Sequence, residues 1–229
     1  MKVELLHVTP LELVVKAIRK CYDSGDKSDS GYFFEQTGEG YEWELGSKDK
    51  ALIRRIIDSG HMSTIEHLNF TFDLSGYSRA LLQEKSRHRI ASVSERSTRY
   101  CLGQLKKEES FILPLDKISY MSDTWYNKNA EKYLVFTGIR EVDKASIMAL
   151  EALRLCVVNG VPNDKAKYCL PDSLVSECIF TINARSFRNW LELRTSKRAL
   201  WEIRELAFMM YEAIPEEYKF MFEDCIDET

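Results

Sequence analysis

The chain has 229 residues, a formal net charge of −4, and hydrophobic and charged fractions of 45% and 30%, values that are ordinary for a globular protein. No apolar run approaches the roughly 20 residues that a membrane-spanning helix needs, and the acidic balance argues against a general nucleic-acid-binding protein. The N-terminus has an early acid and only a short apolar run, so we predict no signal peptide and expect a cytoplasmic protein.

The six cysteines are scattered along the chain, and none of them forms a C-x-x-C pair. This pattern argues against a zinc ribbon and against a dithiol redox motif. His61, Glu66 and His67 do not have the spacing of a zinc peptidase. We therefore predict structural thiols and no metal site.

The first half of the chain alternates predicted helices with strands and one long loop. Thr9 followed by Pro10 is typical of a helix start, with Thr9 as the N-cap. Ser63 and Glu66 have the spacing of a capping box. The predicted elements are a strand at 3–8, a helix at 10–22, a loop at 23–46, a helix at 48–59 that stops at Gly60, and a strand at 68–74.

The second half is predicted to be mainly helical, with a second strand near its middle. Helical periodicity runs from about 122 to 158 and is interrupted at Gly138. The predicted elements are a helix at 78–88, a loop at 92–100, an extended segment at 111–114, the interrupted helix, a short helix at 163–170, a strand at 174–183, and helices at 186–193, 196–214 and after Pro215. We find no repeat or clear linker, so we predict a single α/β domain over residues 1–229.

A basic segment at residues 79–99 has six Arg or Lys and two Glu, a charge of +4 in an acidic chain. Arginine offers a rigid, permanently charged fork, and Ser and Thr add directional donors, which together suit phosphate oxygens. A solvated basic face is the alternative interpretation. That interpretation is weaker here because like charges at this density cost stability unless an anion neutralises them.

A second basic segment at residues 183–204 also has a charge of +4. Its pairs Arg188/Glu192 and Arg198/Glu202 have the i,i+4 spacing of surface salt bridges. By contrast, four polar residues surround a predicted strand-to-helix junction, where such clusters more often form a site. These are Asn183, Arg185, Asn189 and Arg194.

The first basic segment resembles a known signature. The pattern Arg-His-Arg-x-x-Ser-x4-Ser-x-Arg is that of the flavin-dependent thymidylate synthases, and the chain fills every specified position with Arg87, His88, Arg89, Ser92, Ser97 and Arg99. The segment Gly60-His61, Ser63 and Glu66-His67 is also similar to that family, and the likeness extends over about residues 50–205.

This resemblance implies an α/β (α+β) fold with a central antiparallel sheet flanked by long helices, assembled as a homotetramer whose active sites lie between subunits. It implies reductive methylation of dUMP to dTMP, with FAD as hydride carrier and NADPH and 5,10-methylenetetrahydrofolate as co-substrates. From the acidic composition and the lack of a long apolar run, we expect no nucleic-acid or membrane partner.

The resemblance also implies roles for individual residues. Arg194 is expected to be catalytic, because it would stabilise negative charge developing on the pyrimidine ring. The residues expected to bind dUMP are Glu84, Arg87, Glu95, Arg96, Ser97, Thr98, Arg99, Lys167 and Arg194. The residues expected to bind FAD are Ser63, Arg87, His88, Arg89, Glu95, Asn183, Arg185 and Asn189.

The chain departs from the family pattern at three positions. Glu84 replaces a glutamine, Lys167 replaces an arginine, and Arg198 replaces a histidine, so Arg198 is given no role. The first two departures are the only hints of an alternative, a non-catalytic homologue that binds a nucleotide or flavin. A nucleic-acid-binding module built on the basic segments is a third hypothesis, which predicts salt-dependent binding of oligonucleotides.

Overall fold

The computed structural model describes residues 1–34, 41–113 and 125–227, and it has a mixed α/β fold with an antiparallel sheet, as predicted. The four-stranded sheet has the order β1-β4-β6-β5, and β2 and β3 form a separate two-stranded sheet. The strands are β1 (Lys2–Val8), β2 (Gly31–Phe34), β3 (Tyr41–Glu44), β4 (Asn69–Ser78), β5 (Ala91–Glu95) and β6 (Val175–Asn183). The α-helices are α1 (Leu11–Cys21), α2 (Ser47–Asp58), α3 (Arg79–Lys85), α4 (Thr98–Cys101), α5 (Arg140–Val158), α6 (Asn163–Ala166), α7 (Ala184–Arg194), α8 (Trp201–Ala213) and α9 (Glu216–Lys219).

The chain's contacts group into two compact units, so the single domain over residues 1–229 stays a prediction. Unit 1 comprises Met1–Lys2, Leu74–Arg87 and Ser94–Cys178, and unit 2 comprises Val3–Asp73, His88–Val93 and Ile179–Thr229. In unit 1, the buried face of α5 packs in a hydrophobic core with Leu102, Leu105 and Phe111. In unit 2, the core contains an aromatic cluster, in which Phe70, Phe187 and Phe222 lie with ring centroids 5.2–5.7 Å apart.

The elements with the clearest periodicity form as predicted. β4 and β6 bury alternate residues, as a half-buried strand does. The helix after Gly138 forms as α5. Gly138 itself has φ of +76°, so a single right-handed helix cannot run through this residue. The part of that prediction before residue 125 falls outside the described residues. Between 125 and Gly138, a segment that the structure describes in full, the only helix is a 3₁₀ helix at Lys128–Lys132.

Gly60 terminates α2 through its backbone conformation. Its φ is +75°, and its N–H donates to the carbonyl of Ile57 at 2.9 Å while that of His61 donates to Ile56 at 3.1 Å. This pair of bonds is a Schellman motif, which satisfies the carbonyls left over at a helix end. The predicted C′ glycine is therefore confirmed.

Two predicted loops are wrong because they contain strands. Residues 23–46 include the hairpin of β2 and β3, in which Tyr32 pairs with Trp43; residues 35–40 lie outside the described residues. Residues 92–100 include most of the edge strand β5 and the start of α4. β5 has mostly exposed residues, and its pairing with β6 cannot be read from local periodicity, because strand stability depends on cross-strand neighbours.

Three predictions about helix ends and caps are wrong. The helix after Ser78 ends at Lys85, before Arg87. Pro10 rather than Thr9 is the N-cap of α1, and the Thr9 hydroxyl accepts a hydrogen bond from the amide of Asn69 at 3.1 Å instead. The capping box does not form, because Glu66 pairs with Arg185 and residues 62–67 are a 3₁₀ helix.

In the part of the chain that the structure describes, no helix combines the length and the apolar character needed to cross a membrane.

Candidate functional site

In unit 1, the segment Glu95–Arg99 is fixed by its backbone. The amide of Arg96 donates to the carbonyl of Glu177 in β6 at 2.9 Å, which continues the strand pairing one residue beyond β5. Ser97 then caps α4, and its carbonyl accepts from the amides of Tyr100 and Cys101, each at 3.1 Å. The segment therefore turns sharply from strand to helix, with Ser97 and Thr98 half-buried and Arg99 exposed.

A hydrogen bond places the segment that carries Lys167 next to this turn. The side-chain amide of Asn163, the first residue of α6, donates to the carbonyl of Arg99 at 2.8 Å, and α6 packs against α4. Lys167 follows α6 directly and is half-buried. Residues that are far apart in sequence are thus brought to one region of unit 1.

Glu84 and Arg87 lie at the end of α3. Glu84 is half-buried within the helix, Arg87 is exposed beyond it, and the Arg87 amide donates to the Glu84 carbonyl at 3.2 Å. The predicted helix would have presented Arg87 on a regular helical face. The chain leaves the helix at Ser86 instead, so Arg87 belongs to a turn.

Two cations that the sequence analysis did not single out lie near the same segment. A small cavity of about 30 Å³ in unit 1 is lined by Arg96 and Thr98 together with Arg79 and Lys132. Its remaining lining includes the apolar side chains of Leu102, Leu105 and Leu174. Arg79 lies within the first basic segment, so the clustered charge of that segment could have identified it as a site residue. No sequence pattern marks Lys132 as one.

The Glu95 carboxylate is held in a hydrogen-bond network inside unit 1. Its Oε1 accepts from the Tyr77 hydroxyl at 2.7 Å and from the Ser176 hydroxyl at 2.6 Å, and its Oε2 accepts from the Lys85 ammonium at 2.6 Å. Lys85 is only 3% exposed. Burial, followed by its bonded neighbours, raises the pKa of Tyr77 far above its usual range, so Tyr77 stays a neutral donor. The network thereby fixes the residue that precedes Arg96.

In unit 2, Arg194 is the last residue of α7 and is held by His88. Its Nε donates to the Nε2 of His88 at 2.9 Å, so this imidazole nitrogen is the acceptor and the proton is on Nδ1. The His88 ring lies 4.6 Å from the ring of the fully buried Trp190, which fixes the imidazole in turn. The catalytic residue expected from the sequence is therefore anchored through two neighbours.

The start of α7 carries the other polar residues predicted from the second basic segment. The Asn183 side chain is the N-cap and accepts from the amide of Ser186 at 2.8 Å. Arg185 donates to Glu66 at 2.7 Å, and Asn189, four residues further on, is exposed on the same helical face. Of the remaining predicted FAD ligands, Arg89 and Ser63 are exposed.

The predicted surface salt bridges of the second basic segment are wrong. Arg188 is 7% exposed and pairs with Asp224 through two bonds of 2.5 and 2.7 Å, and it also contacts the carbonyl of Met221. Glu202 is 2% exposed, so it does not lie on the surface either. The i,i+4 spacing of Arg188 and Glu192 could not indicate that the partner of Arg188 is Asp224, which lies 36 residues away.

Comparison with known proteins identifies the family. Residues 4–218 match the family described as thymidylate synthase complementing protein. The chain belongs to this family. The flavin-dependent thymidylate synthase of Campylobacter jejuni (strain RM1221) is 46% identical over 227 residues, which cover 99% of this chain and 98% of that protein. The enzyme of the same description from Helicobacter pylori (strain 26695) is 41% identical over 228 residues, which cover 99% of each chain.

Solved structures of the family have the same fold. The crystal structure of the flavin-dependent thymidylate synthase from Helicobacter pylori complexed with FAD and dUMP has a TM-score of 0.84 and 41% identity, and the match covers 99% of this chain and 100% of that one. A second structure of that enzyme with FAD and dUMP has a TM-score of 0.85 at the same identity. The family resemblance and the fold predicted from it are confirmed.

Proposed function

We propose that this chain is a flavin-dependent thymidylate synthase that converts dUMP to dTMP, with FAD as cofactor and NADPH and 5,10-methylenetetrahydrofolate as co-substrates. The observation that carries the proposal is the complete signature from Arg87 to Arg99 in a chain that is 46% identical to such an enzyme over 227 residues. Small anionic substrates and cofactors need local basic binding sites, which agrees with two local basic segments in an acidic chain.

The donor set in unit 2 fits FAD. Arg89 and Arg185 have exposed guanidiniums, which suit the diphosphate of the cofactor. Asn183, Asn189 and Ser63 add polar groups, and His88 adds a ring nitrogen, to bind the nucleotide and the flavin ring. The chemistry that FAD supplies when it is bound is hydride transfer after reduction by NADPH.

We assign binding of the dUMP phosphate to the segment Arg96–Arg99, with Arg87 and Lys167. Ser97 and Arg99 offer a hydroxyl and a permanent cation, and the amides of Arg96–Thr98 add backbone donors. Ser97 is assigned to binding rather than to nucleophilic attack, because no His–Asp pair is evident beside it in the described residues. Lys167 keeps the charge of the family arginine but not its bidentate fork.

Glu95 and Glu84 are the two acids of this proposed site. A carboxylate has about four lone-pair sites, and the three internal bonds to Glu95 leave capacity for a donor from FAD or dUMP. The buried Lys85 ammonium offsets the Glu95 charge, which reduces its repulsion of a phosphate. We assign Glu84 to the base or sugar of dUMP rather than to the phosphate, because two negative charges close together repel each other.

Arg194 is assigned to activation of the pyrimidine. Negative charge develops on the ring as the reaction proceeds, and a guanidinium fixed in advance stabilises that charge without reorganising. The bond from Nε to His88 holds the guanidinium plane, and Trp190 holds His88. Arg194 therefore contributes orientation as well as charge.

The proposal includes self-association into a homotetramer and a cytoplasmic location. On α5, the residues Ala145, Met148, Ala152 and Leu155 form an exposed apolar stripe with a heptad-like spacing, on a helix whose other face is already buried. An apolar stripe of this kind is typical of a surface that a second copy covers. All six cysteines, which lie within the described residues, are free, as expected in a reducing compartment.

The direct test is to incubate the purified protein, stripped of flavin, with dUMP, methylenetetrahydrofolate and NADPH, with and without added FAD. We expect dTMP, detected by chromatography, only when FAD is present. Bound flavin that NADPH reduces without dTMP formation would instead support the non-catalytic or altered-substrate homologue. A protein that neither binds flavin nor forms dTMP would contradict the proposal.

A further inference from the structure

A lysine and a cysteine that are not among the proposed ligands of dUMP or FAD lie in contact inside unit 1. Lys85 is 3% exposed and Cys178, in β6, is 4% exposed. The Nζ of Lys85 is 2.8 Å from the Sγ of Cys178, 2.8 Å from the Tyr77 hydroxyl and 2.6 Å from the Glu95 carboxylate. The pair is therefore enclosed, with an acid and a hydroxyl beside it.

The separation of nitrogen and sulfur is short for a hydrogen bond. Bonds from N–H to oxygen span about 2.7–3.2 Å, and sulfur is a larger atom and a weaker acceptor. A distance of 2.8 Å is thus typical of an oxygen acceptor rather than of a thiol. Burial also raises the pKa of Cys178, and the nearby ammonium only partly offsets this, so attraction to a thiolate does not account for the contact. The separation is instead that of a nitrogen and a sulfur joined through one oxygen atom.

We propose that Lys85 and Cys178 are a redox modification site, at which a peroxide joins Nζ to Sγ through a single oxygen as an N–O–S bridge. The first hydrogen peroxide oxidises the thiol to a sulfenic acid, as its O–O bond breaks and water leaves. The second provides the remaining two-electron oxidation, in which the N–O bond forms and two waters and one proton leave. Overall, the ammonium, the thiol and two peroxides give the bridge, three waters and one proton.

The surroundings favour this reaction over further oxidation of the sulfur. Glu95 accepts a hydrogen bond from Lys85 and can take up the proton that the ammonium must lose before its nitrogen reacts. The close nitrogen competes with further peroxide for the sulfenic acid, as nitrogen does in sulfenamide formation. Cys225, the other buried cysteine, has the Asp224 carboxylate 3.9 Å from its sulfur instead of a lysine nitrogen, so it offers no equivalent partner.

Formation of the bridge has a consequence for the site in unit 1. A nitrogen bonded to oxygen is far less basic than an amine, so bridged Lys85 is neutral and no longer offsets Glu95. Glu95 directly precedes the segment Arg96–Arg99, and Lys85 lies two residues before Arg87. The bridge is therefore expected to weaken dUMP binding. This consequence rests on the proposed function, whereas the bridge itself does not.

The test is mass spectrometry of the full-length protein, reduced with dithiothreitol or treated with hydrogen peroxide and then freed of it by catalase. We expect a cross-linked peptide pair containing Lys85 and Cys178 that has gained one oxygen and lost two hydrogens, and that dithiothreitol reverses. A pair that has only lost two hydrogens would overturn the bridging oxygen. Lys85 outside any cross-link, with Cys178 unmodified or oxidised to sulfenic or sulfinic acid, would overturn the site.

Two variants serve as matched controls, and the wild-type spectrum keeps the test valid if either fails to fold. Cys178→Ser should lose the cross-link, and Cys225→Ser should retain it.

In the wild type, peroxide should raise the dUMP dissociation constant roughly tenfold, and it should leave that of Cys178→Ser unchanged. A cross-link with an unchanged dUMP constant would overturn the coupling to the site. Because the cross-link is read by mass, failure of the proposed activity would not mimic failure of the bridge.

Discussion

At the scale of single residues, Arg194 is the side chain on which the proposed chemistry most depends. Arg194→Ala removes the fixed cation, so we expect kcat to fall by about a hundredfold or more, as when a preorganised charge-stabilising donor is lost. FAD should stay bound, because Arg194 is not itself one of the proposed cofactor ligands, although its partner His88 is. The measurement is dTMP turnover together with flavin absorbance of the purified variant.

Arg198 offers a matched control for that experiment, since it is an exposed arginine four residues further on. Arg198→Ala should retain most of the wild-type turnover. Substantial dTMP formation by Arg194→Ala would contradict the assignment, and so would an equal loss in both variants.

Lys167 tests whether a departure from the family pattern still binds substrate. A charge-assisted hydrogen bond contributes about 1.5–3 kcal/mol, so Lys167→Ala should raise the dUMP dissociation constant by about tenfold or more. Lys165→Ala removes an exposed cation of α6 two residues earlier and should change it little. Titration calorimetry with dUMP gives both constants, and equal values for Lys167→Ala and the wild type would reject the role.

The residue scale also shows where sequence reasoning reached its limit. The signature residues from Arg87 to Arg99 could be named from spacing alone, because the family fixes their identities. The network around Glu95 could not, since Lys85 meets Cys178 across 93 positions and Ser176 meets Glu95 across 81. From the sequence alone, Lys85 is indistinguishable from an exposed lysine of a basic surface. Its burial becomes evident only from the partners that surround it in the structure.

At the scale of elements, the pair of Arg188 and Asp224 ties α7 to the C-terminal segment. Asp224→Ala leaves a buried guanidinium without its carboxylate, which should lower the free energy of unfolding by about 1–3 kcal/mol at neutral pH. Glu192→Ala, at the i+4 position that sequence spacing suggests, should change it by no more than about 0.5 kcal/mol. Urea unfolding of both variants measures the difference, and a larger loss in Glu192→Ala would reverse the interpretation.

The same pair predicts a dependence on pH. The hydrogen bond from Arg188 lowers the pKa of Asp224 in the folded state. A carboxyl with a lowered folded pKa stabilises the protein above its unfolded pKa of about 3.9, and that contribution is lost as the pH falls through the folded value. The difference in stability between the wild type and Asp224→Ala should therefore shrink below about pH 4.

Gly60 shows how much one backbone conformation contributes to an element. Its φ is +75° and a Cβ there would meet no atom within 4 Å, so an added methyl group causes backbone strain but no clash. Gly60→Ala should lower the free energy of unfolding by about 1–2 kcal/mol. Gly103→Ala, with equal space and no positive φ, should not. Thermal unfolding of the two variants separates these expectations.

Elements with strong local periodicity, such as β4 and α5, were predictable because their own side chains define a buried face. β5 and the hairpin of β2 and β3 were not, because they gain stability from cross-strand partners rather than from alternation. Ser92, Val93 and Ser94 are all exposed in β5, so no hydrophobic pattern marks that strand. The longest wrongly predicted segments are thus those that form an edge strand or a two-stranded sheet.

At the scale of the whole molecule, the proposed homotetramer follows from the family resemblance and from the apolar stripe on α5. Met148 is 53% exposed and Leu155 is 46% exposed, although both are large apolar side chains. Leaving such a stripe in water is unfavourable at about 25 cal/mol per Å² of apolar surface. A second copy of the chain that covers the stripe removes that cost.

The charged double variant Met148→Glu/Leu155→Glu should therefore dissociate the assembly, because carboxylates cannot be buried unpaired in an apolar contact. Light scattering should give a mass near four chains of 26.7 kDa for the wild type and a smaller mass for the variant. Val142→Glu is the matched control, since Val142 is 44% exposed on the same helix but lies off the stripe. If the active sites lie between subunits, dTMP formation should fall with the mass in the double variant while circular dichroism shows intact helices. An unchanged mass in the double variant would remove α5 from the interface, and full activity in a dissociated variant would place each site within one chain.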